Sequence, residues 1–317
     1  MIEISNLTKT YGEQKAVDNI SFKVEKGEIL GFLGPNGAGK TTTMKIITCY
    51  MPPNAGDVTV GGFSVLDDSI EVRKMIGYLP EINPLYSDMN VVDFLKYIAD
   101  LRGLSEDLQI RRIREMIDVC CLDEVLHKNI NELSKGYRQR VGLAQAMIHD
   151  PEILILDEPT IGLDPNQVID IRNLIKQLGR EKTVVLSTHI LSEVQATCDR
   201  AVIINNGRIV ADSSLADLQR DLEGKTSINL EITGAENGVE ERLSKIAGVD
   251  EVREVFLENS GGRSFRITSS PGSDPREEIF RCAVEAGWVI MGMSREIRSL
   301  EDVFHQLTRE SINPPPS

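Results

Sequence analysis

The sequence predicts an α/β protein with a large N-terminal domain around a parallel sheet and a smaller C-terminal α+β domain. Strand and helix patterns alternate up to about residue 219, which is typical of a parallel sheet covered by helices. A polar, glycine-containing junction follows at 221–226. Beyond it, the patterns run in the ferredoxin-like order βαββαβ. We therefore expect domains at 1–222 and 225–310, with a disordered, proline-rich tail at 311–317.

Local patterns predict the parts of each domain. Residues 1 to about 30 alternate in the manner of strands, with turn signals at Gly12 and Gly27, which predicts an N-terminal antiparallel β subdomain. Helical periodicity dominates from about residue 90, so we expect a helical subdomain at about 83–150. In the C-terminal domain we predict strands at 227–233, 251–257, 263–268 and 288–293, and helices at 237–247, 275–286 and 298–309.

The composition excludes several classes of protein. The chain has 317 residues, of which 41% are hydrophobic and 26% charged. It contains no apolar stretch near the roughly 18 residues of a membrane span, and residues 1–6 do not resemble a signal peptide, so we expect a cytoplasmic location. The net charge of −14 disfavours a nucleic-acid partner. Five cysteines without C-x-x-C spacing indicate reduced thiols rather than disulfides or a metal site.

A glycine-rich segment carries the strongest functional signal. It matches the phosphate-loop pattern G-x-x-x-x-G-K-[ST] and consists of Gly34, Pro35, Asn36, Gly37, Ala38, Gly39, Lys40 and Thr41. An apolar run at 29–33 precedes it and a helical pattern at 42–47 follows, as a strand–loop–helix requires. Glycines let backbone N–H groups surround phosphate oxygens, Lys40 can reach the β- and γ-phosphates, and Thr41 can ligate Mg²⁺. A chance match has odds of roughly one in a hundred, so we predict nucleotide binding.

Two acidic residues end a second buried strand. The apolar run 153–156 leads directly into Asp157 and Glu158. Beside a bound nucleotide, Asp157 would hold Mg²⁺, usually through water, and Glu158 could polarise a water for attack on the γ-phosphate. The alternative is a solvated strand end with two ordinary acids, which the phosphate loop makes the weaker interpretation.

A second anion site is predicted at the start of a later helix. Residues 133–140 open this helix, with Ser134 as a plausible N-cap and backbone N–H groups near Gly136 facing outward. One chain has only one γ-phosphate to bind. The second site therefore suggests contact with a neighbouring chain's nucleotide.

The order of these segments, followed by 162–165 (Gly-Leu-Asp-Pro) and 187–189 (Ser-Thr-His), resembles the ATP-binding subunits of ABC transporters. The resemblance covers residues 1 to about 220 and implies a P-loop NTPase (RecA-like) core that binds ATP and Mg²⁺. It also implies the following roles: Tyr11 stacks on adenine, Thr42 belongs to the phosphate site, Ser134 and Gly136 contact the partner's nucleotide, Asp164 communicates across a dimer, and His189 contacts the γ-phosphate and orients Glu158.

The sequence departs from the family pattern at three positions. Glu81 stands at the glutamine of the lid loop, where it can still bind Mg²⁺ or water, and we retain it as a metal-site residue. Lys135 and Tyr137 stand where the signature usually has glycine and glutamine. Both signature changes, and the segment 300–304, resemble the exporter branch that includes gliding-motility and drug-resistance ATPases.

The resemblance implies two partners. One is a second ATPase subunit, most simply another copy of this chain, because the motif set is complete. The other is a separate integral membrane permease, which would hold the chain at the inner face of the cell membrane. The segment from Glu81 to about Leu95 is the expected contact with the permease; its alternative is an ordinary helix-capping loop.

A second class of function is an ABC ATPase that moves no substrate and acts as a soluble regulatory or translation-associated factor. DNA-repair relatives carry a long coiled coil between the phosphate loop and the signature, whereas Lys40 and Ser134 lie only 94 positions apart. Translation-factor relatives carry two ATP modules in one chain, and this sequence has one. Both differences favour transport.

The sequence leaves two roles open for the C-terminal domain. It is either a regulatory module for a small ligand, by analogy with other βαββαβ units, or an accessory dimerisation or stability domain. Trp288 is expected in its core rather than in a ligand cage.

Overall fold

The chain divides into two units in the computed structural model. The described residues are 1–217, 226–235, 238–255, 262–270, 273–297 and 304. The first unit covers Met1–Leu215 and the second begins at Ala216. The predicted domain boundaries at 222 and 225, the helix at 298–309 apart from Phe304, and the tail at 311–317 lie outside the described residues.

An antiparallel sheet forms the N-terminal part of the first unit, as predicted. Its order is β2-β1-β4-β5, and its strands are β1 (Ile2–Tyr11), β2 (Gln14–Val24), β4 (Ala55–Val60) and β5 (Phe63–Ser64). Alternate residues such as Ile2, Ile4 and Val58 are buried in the main hydrophobic core. The sheet therefore packs one face inward, as its period-two pattern requires.

A six-stranded sheet forms the centre of this unit. Its order is β10-β9-β3-β8-β7-β6, and its strands are β3 (Ile29–Leu33), β6 (Ile76–Leu79), β7 (Ile153–Asp157), β8 (Thr183–Thr188), β9 (Arg200–Asn205) and β10 (Arg208–Ser214). All pairings are parallel except that of β10 with β9. Every residue of β3, β7 and β8 is buried, which explains their continuous apolar character.

Seven α-helices accompany the two sheets within residues 1–214. They are α1 (Lys40–Ile47), α2 (Ser69–Met75), α3 (Val91–Leu101), α4 (Glu106–Cys120), α5 (Lys135–Met147), α6 (Pro165–Leu178) and α7 (Leu191–Thr197). Helices α3, α4 and α5 pack on one another and form the predicted helical subdomain. Asn90 caps α3 by accepting a hydrogen bond from the Asp93 N–H.

The second unit has the predicted ferredoxin-like order. Its elements are β11 (Thr226–Thr233), α8 (Val239–Leu243), β12 (Val249–Val255), β13 (Arg263–Ser269), α9 (Arg276–Ala286) and β14 (Val289–Ile297), with sheet order β12-β13-β11-β14. Apolar residues such as Leu230 and Phe265 pack with Leu243 and Ile279 on one face of this sheet. Trp288 packs against the same core, as predicted.

Two element lengths in this unit were predicted wrongly. The helix predicted at 237–247 ends at Leu243, because the following N–H groups of Lys245 and Ile246 bond three residues back and form turns. The strand predicted to end at 293 continues to Ile297, because β14 pairs with β11 as far as Thr226. Such pairing is a long-range contact that local patterns do not reveal.

No helix in the described ranges is long and apolar enough to cross a membrane.

His149, just after α5, makes stability depend on pH. Its Nε2 lies 3.1 Å from the Ile76 carbonyl oxygen, and burial, reinforced by Arg102, lowers its pKa to about 4. The folded state therefore keeps this ring neutral, whereas the unfolded chain protonates it near the ordinary pKa of about 6.5. The resulting stability is complete above pH 6.5 and is lost as pH falls towards 4.

We predict that His149→Gln reduces this acid sensitivity, because an amide cannot become charged. Between pH 7.5 and 4.5, urea unfolding should show a loss of free energy roughly 2 kcal/mol smaller in this variant than in the unmodified chain. The exposed His127→Gln is the control and should keep the original pH dependence. Equal pH dependence of all three proteins would contradict the assignment.

Candidate active site

The phosphate loop joins the end of β3 to the start of α1. Gly37 and Gly39 have φ values of 81° and 111°, in the region that only glycine adopts readily. A Cβ on Gly39 would lie 2.4 Å from the Ala16 carbonyl oxygen. These constraints explain why glycine occupies both positions. They also direct the N-terminus of α1 at the space beside the loop, where its N–H groups and dipole favour an anion.

A cavity of about 340 Å³ lies beside the loop. That volume is within the usual range of about 300–1,000 Å³ for small-molecule sites. Eight predicted site residues line it: Asn36, Gly37, Gly39, Lys40, Thr41, Thr42, Glu81 and Glu158. Ala16 and Ile161, which no sequence motif had indicated, also contribute to the lining. Gly34, Pro35 and Ala38 belong to the loop without being among the lining residues.

Lys40 is held at the cavity by the loop itself. Its buried ammonium donates to the carbonyl oxygens of Gly34 at 2.8 Å and Pro35 at 3.2 Å. The same Nζ lies 3.3 Å from Glu158 Oε1, in an ion pair whose two side chains are almost fully buried. The lysine therefore presents a positive charge in a fixed position beside the helix start.

Asp157 ends β7 in full burial, and neither of its carboxylate oxygens has a hydrogen-bond partner in the part of the chain that the structure describes. Burial raises its pKa, and the Ser187 and Thr41 hydroxyls oppose that shift without cancelling it. Unpaired buried carboxylate oxygens are costly unless a cation or a water satisfies them.

These residues fit a magnesium site. Thr41, Asp157 and Glu81 would supply a hydroxyl and two carboxylates, and Mg²⁺ prefers such oxygen donors. Among the described residues there is no group of three or more His, Cys, Asp or Glu side chains that could hold a metal alone. One hydroxyl and two carboxylates suit Mg²⁺, because in nucleotide sites this ion binds one or two carboxylates together with substrate phosphates.

Glu158 is fixed by its backbone and by two neighbours. Its φ of 50° lies in the left-handed region, which is unfavourable for a residue with a side chain and is often found at functional sites. Its N–H donates to the Ser187 carbonyl at 2.9 Å. Its Oε2 lies 2.9 Å from His189 Nδ1, while Oε1 faces Lys40. The carboxylate is thus held between a histidine and a lysine at the edge of the cavity.

A buried glutamate that the sequence analysis did not identify supports this arrangement. Glu193, on α7, accepts hydrogen bonds from the hydroxyls of Thr160 and Thr188, the latter at 2.7 Å. Arg172, on α6, lies 3.8 Å from the same carboxylate. Through these contacts, Glu193 connects three parts of the structure. They are the loop after Glu158, the segment just before His189, and helix α6. No motif contained Glu193, so only its burial and contacts identify it.

The predicted second anion site lies at the start of α5. Ser134 caps this helix by accepting a hydrogen bond from the Tyr137 N–H at 3.4 Å. A Cβ on Gly136 would lie 2.6 Å from Gln167 Cδ, so the starts of α5 and α6 pack closely. Asp164 caps α6 by accepting from two backbone N–H groups. None of Ser134, Gly136 and Asp164 is among the residues that line the phosphate-loop cavity.

The two unusual signature residues make specific contacts. A Cβ built on Gly162, whose φ is 67°, would lie only 2.1 Å from the Lys135 ammonium. The lysine therefore fills the space that any side chain at position 162 would need. The Tyr137 hydroxyl donates to Glu124 at 2.9 Å. These substitutions therefore pack locally and leave the capping role of Ser134 intact.

Tyr11 lies at the end of β1, away from the residues that line the cavity. Its ring is half exposed, and its hydroxyl donates to Met51 Sδ at 3.1 Å. The adenine contact therefore remains a prediction that rests on the family resemblance.

The chain is similar to known proteins over most of its length. Residues 17–161 match the ABC transporter family. The linearmycin resistance ATP-binding protein LnrL of Bacillus subtilis is 34% identical over 81% of this chain and 83% of the relative. The Nod factor export ATP-binding protein I of Rhizobium etli is 33% identical over 97% of this chain and 93% of the relative.

A solved structure is also similar. It is the dimeric, post-hydrolysis state of the ATP-binding cassette MJ0796 bound to ADP and Pi. Its TM-score is 0.62 at 28% identity, and the match covers 68% of this chain and 99% of that one.

We predict that Glu193→Ala lowers the rate of ATP hydrolysis roughly 10- to 100-fold, because small displacements of catalytic groups cost this much. The KM for ATP should change less than twofold, since Glu193 does not line the cavity. Glu193→Gln, whose amide can accept from one threonine hydroxyl and donate to the oxygen of the other, should recover most of the rate.

The exposed Glu181→Ala is the matched control and should hydrolyse ATP normally. Steady-state kinetics on proteins with equal thermal stability provide the measurement. An unchanged kcat for Glu193→Ala would show that the glutamate does not position the catalytic residues.

Proposed function

Because the chain belongs to the family of ABC transporter ATP-binding subunits, we propose that two copies of it close around two ATP molecules and drive a separate membrane protein. The chain is an ATPase of this family, with hydrolysis of ATP to ADP and phosphate as its reaction. The observation that carries the mechanism is the Glu158 carboxylate, held between Lys40 and His189 at the edge of the phosphate-loop cavity.

Different groups of the site have different roles in ATP hydrolysis. Backbone N–H groups of the loop and the Lys40 ammonium bind the phosphates. Glu158 accepts a proton from a water that attacks the γ-phosphorus in line, and the bond from that phosphorus to the ADP oxygen breaks. His189 orients Glu158 through their hydrogen bond. Mg²⁺, when held by Thr41, Asp157 and Glu81, neutralises charge on the β- and γ-phosphates.

The paired arrangement is supported by the separation of two anion sites within one chain. The start of α5, with Ser134 and Gly136, offers N–H groups that are not part of the phosphate-loop cavity. In a head-to-tail pair, this helix start in one chain would contact the ATP held by the other, and Asp164 would lie near the junction. The dimeric structure of the related cassette MJ0796 supports such a pair.

The membrane partner would dock on the helical subdomain. A groove of about 420 Å³ is lined there by Glu81, Ile82, Asn83, Leu85, Ser87, Ile130, Asn131, Lys135, Arg138 and Gln139. Ile82 is 84% exposed, and the half-exposed Tyr86 packs edge-on against Phe94 and Tyr97 beside it. Exposed apolar side chains of this kind suit an amphipathic helix of a partner.

Glu81 connects this groove with the nucleotide site, since it lines both cavities. Docking of a cytoplasmic helix of the permease would therefore be sensitive to the nucleotide, and it would hold the chain at the inner face of the membrane. The relatives that carry out linearmycin resistance and Nod factor export support transport outward.

We predict that Glu158→Gln binds ATP but hydrolyses it at least 100-fold more slowly, because the amide cannot accept the water's proton. The stalled protein should form an ATP-dependent dimer in analytical ultracentrifugation. The exposed Glu152→Gln serves as the control and should turn over normally and remain mostly monomeric. Normal turnover by Glu158→Gln without a dimer would contradict the mechanism.

We also predict that Ile82→Arg weakens binding to the membrane partner. Tagged Glu158→Gln protein with ATP should recover a polytopic membrane protein from detergent-solubilised membranes, and adding Ile82→Arg should reduce recovery at least tenfold. Ile82→Arg alone should hydrolyse ATP at the normal rate. Ile70→Arg, at another exposed apolar position, on α2, is the control. A soluble dimer that recovers no membrane protein would favour the class of ABC ATPases that moves no substrate.

A further inference from the structure

The second unit contains a cavity of its own, on the open face of its sheet. Helices α8 and α9 cover the other face, where Leu230, Phe265 and Met293 face the core. Side chains alternate along strands, so Asn229, Glu231, Ser264, Arg266, Gly292 and Ser294 project from the face opposite these two helices. A cavity of about 420 Å³ lies there, and all six of these residues line it together with Val255.

Ser264 is the first sign that this cavity binds a polar ligand. It is only 7% exposed, and its hydroxyl has no hydrogen-bond partner among the residues that the structure describes. A buried hydroxyl without a partner is unfavourable, and most such groups in folded proteins are satisfied. Because Ser264 lines the cavity, a ligand placed there could supply the missing partner.

The second sign is a pair of opposite charges that do not neutralise each other. Arg266 and Glu231 both line the cavity, and neither forms an ion pair with any residue that the structure describes. Five other arginines of this unit, by contrast, lie within 4 Å of a carboxylate: Arg253, Arg263, Arg276, Arg281 and Arg295. Arg266 Nε instead donates to the side-chain amide oxygen, Oδ1, of Asn229 at 3.4 Å.

The register keeps these charges apart. Glu231 pairs with Ser264, and Arg266 pairs with Asn229, so the two charges are diagonal neighbours across the strands. Diagonal neighbours on a sheet are roughly 7–8 Å apart, with Ser264 beside them. This spacing suits a small molecule that carries both an ammonium and a carboxylate.

Gly292 keeps the cavity open. It lies opposite Glu231 in the register, and a Cβ built on it would meet only Glu231 atoms, at 3.9 and 4.0 Å. Its φ is not in the left-handed region, so the backbone accepts other residues. A larger side chain at this position would therefore fill the cavity without straining the strand.

We propose that this cavity binds a small zwitterion of the amino-acid type with an apolar side chain. The ligand carboxylate pairs with Arg266, its ammonium pairs with Glu231, and Ser264 donates a hydrogen bond to the carboxylate. Val255 provides apolar lining for the ligand's side chain. The proposal does not depend on the transport function proposed above, because it concerns binding to the second unit alone.

The test is calorimetric titration of the full chain with L-leucine and L-phenylalanine. At least one of them should bind, whereas the analogues phenethylamine and 3-phenylpropionate, each lacking one charge, should bind at least tenfold more weakly. Arg266→Gln and Glu231→Gln should each weaken binding at least tenfold, and Ser264→Ala should weaken it severalfold. Gly292→Phe should abolish binding by filling the cavity.

Arg253→Gln is the matched control, because Arg253 projects from the same face but is already paired with Glu251 at 2.7 Å. This variant should bind as the unmodified chain does. Circular dichroism and thermal unfolding would identify any variant that fails to fold, and Arg266→Gln, a surface change, keeps the test valid if Gly292→Phe does not fold.

Three outcomes would overturn the proposal. The first is the absence of binding by either amino acid at millimolar concentration. The second is equal binding of the singly charged analogues. The third is a change in the dimerisation of Gly292→Phe or Arg266→Gln in analytical ultracentrifugation without any ligand effect, which would assign this face to contact between copies of the chain.

Discussion

The balance of buried charge at the carboxyl ends of β3, β7 and β8 is the constraint on which the site depends. Lys40, Asp157 and Glu158 are all nearly or fully buried, so the site contains one buried ammonium and two buried carboxylates. Buried charges are tolerated only when they are paired or when they bind ions. The lysine pairs with Glu158, whereas the Asp157 oxygens have no hydrogen-bond partner among the described residues. A cation bound together with phosphates would complete this balance of charge.

The order of the parallel strands places these charges together. Strand β8 lies between β3 and β7, and the register sets Leu33 beside Thr188 and Asp157 beside Ser187. All three strands therefore end at one edge, where ligands of open α/β sheets bind. The left-handed backbone of Glu158 then turns its carboxylate towards His189. Glu193 accepts hydrogen bonds from Thr160 and Thr188, so it links the segment after Glu158 with the segment that carries His189.

The sequence could predict the parts of the fold whose signals are local. The phosphate loop, the acidic end of β7 and the βαββαβ order were all recognisable because residue type and spacing define them. Element ends were less accessible: helix α8 stopped at Leu243 and β14 continued to Ile297, since turns and strand pairing decided them. The sequence analysis could not identify Glu193, because a glutamate in the first turn of a helix is common and only the structure shows that this one is buried.

The sequence by itself determined that the chain binds a nucleotide, which residues form the loop, and which acid follows β7, because backbone conformation and charge there follow from residue type. Tertiary structure alone decided that Lys40 and Glu158 form a buried ion pair, and that Glu193 accepts hydrogen bonds from Thr160 and Thr188. It also decided that Arg266 and Glu231 face one cavity without pairing. Such relations depend on strand order and register, which join residues far apart in the chain and leave no local pattern.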